Sequence, residues 1–136
     1  MTAPTGTVGL VLVSHSHEVA TGVAELVAQV AGPHVPIVTV GGGPDGTLGT
    51  DGERVRAALA GAARDGGVVV LMDIGSSVLA VREALNELAS ADRELVSVAD
   101  APLVEGAIAA GVAASVGARR DEVVEAAVAA RHVAKL

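Results

Sequence analysis

The chain alternates between two hydrophobic periodicities. Residues 8–13 (VGLVLV) and 67–72 (GVVVLM) are short, unbroken apolar runs, the pattern of strands buried on both faces. Residues 35–40 (VPIVTV) and 94–99 (ELVSVA) are weaker runs that predict flanking strands. Between and after the runs, apolar positions recur at helical spacing. Val19, Val23, Leu26, Val27 and Val30 form one stripe, and Val55, Leu59, Ala62 and Ala63 a second, with Arg54, Arg56 and Arg64 turned outward. Val78, Val81, Leu85 and Leu88 make a third; Leu103, Ala107, Ile108 and Val112 a fourth; Val123, Val124, Ala127 and Val128 a fifth.

Local signals mark the helix ends. Thr50 and Glu53 are spaced as a capping box, which predicts the start of the second helix. Asp121 and Glu122 open the last helix, and Arg131 and Lys135 are expected to close it, each charge set opposing the dipole end it faces. Strand–helix alternation implies an α/β fold: a parallel sheet flanked by helices on both faces, with right-handed crossovers. No internal repeat or interdomain linker interrupts residues 1–136, which are expected to form a single domain. The Gly-rich stretch 41–52 is a long loop inside it.

Composition narrows the chemistry. Of 136 residues 51% are hydrophobic and none is aromatic, so the core must be Val, Leu, Ile and Ala at close quarters. With no cysteine there is no disulfide, thiolate metal site or thiol nucleophile, in keeping with a cytoplasmic protein. The net charge is −7 and the only lysine is Lys135. No basic stripe is present, which argues against nucleic acid and anionic membranes as partners. No apolar run approaches the roughly 20 residues that span a bilayer, and the start of the chain lacks the basic region of a signal peptide.

In parallel α/β folds ligands gather at the carboxyl ends of the strands. The first strand delivers Ser14-His15-Ser16-His17 there, and the third delivers Asp73-Ile74-Gly75-Ser76-Ser77. If those strands are neighbours, His15 and Asp73 emerge side by side. A carboxylate that accepts from one imidazole nitrogen leaves the other unprotonated and nucleophilic. The helix starts after Ser16 and Ser76 would add free backbone N–H groups for an anion without any lysine. That set suits a phosphoryl group passing through a histidine.

The same letters have plainer readings. A histidine at a strand end is as often a turn residue, Asp73 a turn or N-cap acid, and Ser76 and Ser77 helix caps. His17 falls in a first helical turn, while His34 and His132 read as structural. Gly41, Gly43 and Gly46 fit a dinucleotide fingerprint by letter but follow the wrong strand and lead into a loop, better read as a flexible rim. No lysine completes a Walker loop. A serine triad on Ser14 and His15 fails because consecutive strand residues point to opposite faces. His15, His17 and Asp73 offer nitrogen and oxygen ligands of the kind zinc takes, on weak spacing.

Four segments in order carry a family resemblance: "LVLVSHSHEVATGVAELVAQV", "GGGPDGTLGTDGERV", "VVVLMDIGSSVLAVREAL" and "DAPLVEGAIAAGVAASVG". Together they cover about residues 7–118 and resemble the phosphotransferase subunits of PEP-dependent dihydroxyacetone kinases. Those subunits belong to the mannose-type IIA class of the bacterial sugar phosphotransferase system. The resemblance implies a sheet in the order 2-1-3-4 and a homodimer. It makes His15 the phosphorylated residue, matches Asp73 to the family's aspartate, and matches Gly75 and Ser76 to its Gly-Ser turn. Ser16 joins these as a phosphoryl-binding residue at the first helix start, and the 41–50 loop is expected to lie around the phosphate. It implies phosphate from a histidine-containing phosphocarrier protein, passed to ADP on the kinase's nucleotide-binding subunit, with no cofactor or metal held by this chain. Two rival readings stand beside it: a small tetrapyrrole metal chelatase using His15, and a sensor phosphorylated only to change partners. The chelatase would need a second metal-binding histidine where the third strand ends instead in Asp-Ile-Gly-Ser.

Overall fold

The computed structural model describes residues 6–136; the expected domain start at residue 1 lies outside them. Four strands, β1 (Gly9–Ser14), β2 (Ile37–Gly41), β3 (Val68–Met72) and β4 (Val96–Val98), form an all-parallel sheet in the order β2-β1-β3-β4. The helices are α1 (His17–Ala31), α2 (Gly52–Ala62), α3 (Ser76–Glu87), α4 (Ser90–Arg93), α5 (Leu103–Ser115) and α6 (Arg120–Ala129). The class and strand order are those the sequence and its resemblance imply.

Alternation along the central strands divides the core in two. Leu10, Leu12, Val69 and Leu71 face α1, α5 and α6, where they meet Val23, Val27, Leu103, Ala107 and Val123. Val11, Val13, Val68 and Val70 face the opposite way, onto Val55 and Leu59 of α2 and Val81 of α3. Small residues bring the helices close. A Cβ on Gly111 of α5 would stand 2.4 Å from Val27 Cγ1, and one on Gly106 would stand 3.0 Å from Leu71 Cδ2.

That close approach narrows the stripe of α1. Ala20, Val23 and Val27 are buried, whereas Val19, Leu26 and Val30, expected inside, are 44%, 46% and 54% exposed. The weakest apolar run shrinks to the three residues of β4, and α4 takes up the chain before it. The predicted box at Thr50 is also revised: Asp51 is the N-cap of α2, and its carboxylate accepts from the amides of Glu53 and Arg54. Asp121 and Glu122 do occupy the first turn of α6, but Arg131 lies in a following 3₁₀ turn and Lys135 beyond it. Their charges pair with Asp100 and Glu105 instead of the helix end.

Candidate functional site

The register fixes where the polar groups meet. Ser14 closes β1 opposite Gly41 of β2, and Val13 pairs with Met72 of β3, so the next residues, His15 and Asp73, leave adjacent strands together. The amide of Asp73 still donates to the carbonyl of Val13 at 3.1 Å, extending the ladder by one bond. His15 Nδ1 lies 3.0 Å from Asp73 Oδ1. The two side chains are 27% and 20% exposed, enough to be reached from solvent yet partly sheltered.

Asp73 is the most heavily hydrogen-bonded group here. Oδ2 accepts from the Ser14 hydroxyl at 2.7 Å and the His15 amide at 3.0 Å. Oδ1 accepts from the Ile74 amide at 2.7 Å as well as facing the imidazole. Partial burial is the largest single influence on this carboxyl and disfavours its charge. The bonds from Ser14, the His15 amide and ring, and Ile74 together outweigh it and hold the group well below the usual carboxylate range. An ionised carboxylate only accepts, so Nδ1 of His15 carries the proton and Nε2 is the nitrogen with the lone pair.

Three hydroxyls complete the surroundings of the ring. Ser76 Oγ is 2.6 Å from Nε2, and Ser77 Oγ, wholly buried, is 3.1 Å from Nδ1. Thr50 Oγ1 lies 3.1 Å from Ser76 Oγ and 3.2 Å from Ser77 Oγ. Ser76 and Ser77 are therefore not caps. The N-cap of α3 is Gly75 at φ 45°, with no side-chain bond to the first turn. The amides of Ser77 and Val78 donate back to the carbonyls of Ile74 and Gly75 at 3.0 and 3.1 Å, which leaves those of Gly75 and Ser76 for an anion.

The glycine-rich segment closes the site from the β2 side. Gly49 donates to the carbonyl of His15 at 3.0 Å, and Gly43 to that of Thr47 at 2.7 Å. Asp45 accepts from both the amide and the hydroxyl of Thr47. The expected flexible rim thus carries its own hydrogen bonds. Gly41 is dictated by contact: a Cβ there would sit 2.6 Å from the Ser16 carbonyl oxygen and 2.7 Å from His17 Cα. The letter match to a dinucleotide fingerprint leads into this loop, and its last glycine, Gly46, stands six positions before α2 begins at Gly52.

Of the residues singled out from sequence, His15, Asp73, Gly75 and Ser76 are brought together. Ser16 sits beside them, but its hydroxyl caps α1, accepting from the Val19 amide at 3.2 Å. His17 is exposed at the start of α1, His132 is exposed in the 3₁₀ turn, and His34 lies in the α1–β2 connection. Among the described residues, no three His, Asp or Glu side chains are grouped to hold a metal ion, so the His15, His17 and Asp73 set is not assembled. The 41–50 loop expected around the phosphate does reach the site, but the particular contacts of its Gly41 and Thr50, and of Ser14 and Ser77, are not readable from sequence. Each becomes visible only once β1, β2 and β3 are known to be neighbours. The segments that carry the site also hold exposed apolar side chains: Leu48, next to Gly49, Ile74, next to Asp73, and Leu79, in the first turns of α3, are 79%, 69% and 58% exposed.

Fold and site together define a parallel α/β domain with a carboxylate-oriented imidazole at the carboxyl ends of its two central strands. Residues 9–124 match the family described as the fructose IIA component of the phosphotransferase system, EIIA-man. The chain belongs to this mannose-type IIA family. It is 33% identical over 118 residues to phosphoryl donor subunit DhaM of PEP-dependent dihydroxyacetone kinase 2 from Listeria innocua, covering 87% of this chain and 94% of that one. It is 38% identical to the corresponding subunit from Escherichia coli, over 86% of this chain but 25% of that protein. It therefore spans nearly all of one relative and a quarter of the other. A crystal structure of a protein of unknown function superposes with a TM-score of 0.82 at 30% identity, covering 90% of this chain and 93% of the other. A phosphotransferase EIIA component from Streptococcus agalactiae shares the fold, with a TM-score of 0.67 at 18% identity over 92% of each chain. No helix among the described residues is long and apolar enough to cross a membrane.

Proposed function

We propose that this chain is the phosphohistidine relay of a PEP-dependent dihydroxyacetone kinase, carrying the phosphoryl group on Nε2 of His15. The observation that carries the reading is the 3.0 Å contact between His15 Nδ1 and Asp73 Oδ1. It keeps the proton on Nδ1 and the lone pair on Nε2. In the transfer step the P–N bond of the incoming phosphohistidine breaks as a P–Nε2 bond forms. Nδ1–H stays on Asp73 throughout, and its carboxylate offsets the positive charge that grows on the ring. The amides of Gly75 and Ser76 at the start of α3, with the start of α1 at Ser16, would receive the phosphoryl oxygens.

The relatives' names support a phosphoryl donor role in a PEP-dependent dihydroxyacetone kinase, and the remaining steps are proposed from the family resemblance. A histidine-containing phosphocarrier protein is the donor, and ADP on the kinase's nucleotide-binding subunit is the acceptor, so no nucleotide is held by this chain. The exposed apolar rim of Leu48, Ile74 and Leu79 suits protein partners that dock briefly over His15. We further propose that the chain forms one domain, acts as a homodimer and works in the cytoplasm.

The test is labelling from PEP with the general phosphotransferase proteins, followed by mixing with the ADP-loaded nucleotide subunit. Wild-type chain should acquire an acid-labile phosphate and then yield ATP, while His15→Ala should do neither. Full labelling of His15→Ala would rule out the relay. Labelling without ATP would leave the sensor reading in its place.

A further inference from the structure

The hydrogen bonds around His15 form a closed ring. Because ionised Asp73 fixes the proton on Nδ1, Nε2 can only accept, and Ser76 at 2.6 Å must donate to it. Ser76 Oγ is then free to accept from Thr50 at 3.1 Å, and Thr50 Oγ1 to accept from Ser77 at 3.2 Å. Ser77 Oγ in turn takes a share of Nδ1–H at 3.1 Å. Every proton has one place, and the two ring nitrogens are linked through three hydroxyls.

The ring poses a problem for transfer, since the Ser76 hydroxyl occupies the lone pair that must attack phosphorus. It has to release Nε2 before a P–Nε2 bond forms, and its proton then needs another acceptor. Thr50 is the hydroxyl in reach. Its own position is fixed from both sides. Gly42 and Thr50 form an isolated bridge, and the next residue, Asp51, caps α2. Asp51 leaves the Thr50 hydroxyl without the capping duty its sequence position suggested.

The geometry points to Thr50 as a positioning residue for phosphoryl transfer. It holds the Ser76 hydroxyl on Nε2 at rest and, when that hydroxyl turns away, accepts its hydrogen bond while turning its own O–H to an oxygen of the arriving phosphoryl group. No covalent bond to hydrogen is broken; the Ser76 and Thr50 hydroxyls reorient as the phosphoryl group arrives, and Ser77 goes on donating to Thr50. The assignment rests on the relay through His15 proposed above.

Thr50→Val keeps the side-chain shape and removes the hydroxyl, while Thr50→Ser restores the hydroxyl without the methyl. Two measurements apply: the rate of phosphoryl acceptance from the phosphorylated carrier protein, and the ¹⁵N resonances of the His15 ring in the unphosphorylated chain. Thr50→Val is expected to accept about tenfold more slowly, as for loss of one oriented hydrogen bond. Its Nε2 resonance should move while Nδ1 stays protonated, and Thr50→Ser should fall within about twofold of wild type. An unmoved Nε2 resonance, an unchanged rate, or a Thr50→Ser chain as slow as Thr50→Val each overturns the assignment. If wild type takes no phosphoryl group on His15 the relay itself fails, and the resonance alone then decides whether Thr50 orders the ring.

Discussion

The Ser14 hydroxyl donates to Asp73 Oδ2 at 2.7 Å, joining the last residue of β1 to the residue that follows β3. The same oxygen accepts from the amide of Ser16 at 3.1 Å. One buried hydroxyl thus braces the carboxylate behind the imidazole and the start of the helix in front of it. Ser14→Ala leaves Ser16's amide and one lone pair of Asp73 without their partner. The expected loss is about 1–3 kcal/mol of unfolding free energy, the range for stranding a buried polar group. Urea denaturation of the variant measures it; a change within ~0.3 kcal/mol would show that water substitutes freely.

Asp73 also sets a pH dependence. Its folded pKa lies below the ordinary 3.8, because the bonds from Ser14, His15 and Ile74 favour the charged form over the cost of partial burial. Below 3.8 the unfolded chain therefore takes up this proton before the folded chain does. The stabilisation is fully present above that value and is lost as the pH falls through the folded pKa. The stability gap between wild type and Asp73→Asn should be constant from about pH 7 to pH 5 and should narrow below about pH 4. Denaturation curves at four pH values test it, and a gap that widens on acidification would contradict the assigned sign. In the relay assay the same variant should slow transfer by about a hundredfold or more, since the tautomer is no longer enforced.

The exposed rim makes a separate prediction. Ile74 is 69% exposed between Asp73 and Gly75, and only its backbone amide takes part in the site. If a phosphocarrier docks on this rim, Ile74→Ser should raise the KM for that protein about fivefold, with kcat little changed. Val116 is 80% exposed just after α5, at the opposite end of the sheet, and Val116→Ser should leave both constants alone. Equal effects of the two substitutions would mean that the rim is not the docking surface.

The strands were legible in the sequence for physical reasons; the sheet order, and with it the pairing of His15 with Asp73, came from the family resemblance. Runs such as residues 8–13 and 67–72 are too short and too apolar for anything but strands buried on both faces, and parallel sheets gather polar groups at their carboxyl ends. The stripe of α1 misled because it was read by hydrophobicity alone. Ala20 lies against the core while Val19 and Leu26 stay in solvent, a choice made by how closely α5 approaches through Gly111. Thr50 and Ser77 were assigned to caps because capping is a local pattern. Their contact spans 27 positions and exists only when the ends of β2 and β3 flank that of β1.

Gly41 offers the sharpest steric test. Its neighbours leave no room: an added Cβ would meet the Ser16 carbonyl oxygen at 2.6 Å and His17 Cα at 2.7 Å, both backbone atoms. Gly41→Ala must therefore push β2 away from the start of α1, the turn that carries His15. The expected cost is about 1–3 kcal/mol, as for other overpacked sites, with slower phosphoryl acceptance from the displaced imidazole. Gly52, the first residue of α2, has open space around its Cβ position and a backbone that any residue adopts. Gly52→Ala should be neutral or stabilising by up to about 1 kcal/mol, through reduced freedom of the unfolded chain. Thermal unfolding of both variants decides the matter, since a Gly41→Ala chain as stable as Gly52→Ala would mean that the loop yields to the methyl group and that Gly41 does not fix the approach of β2 to His15.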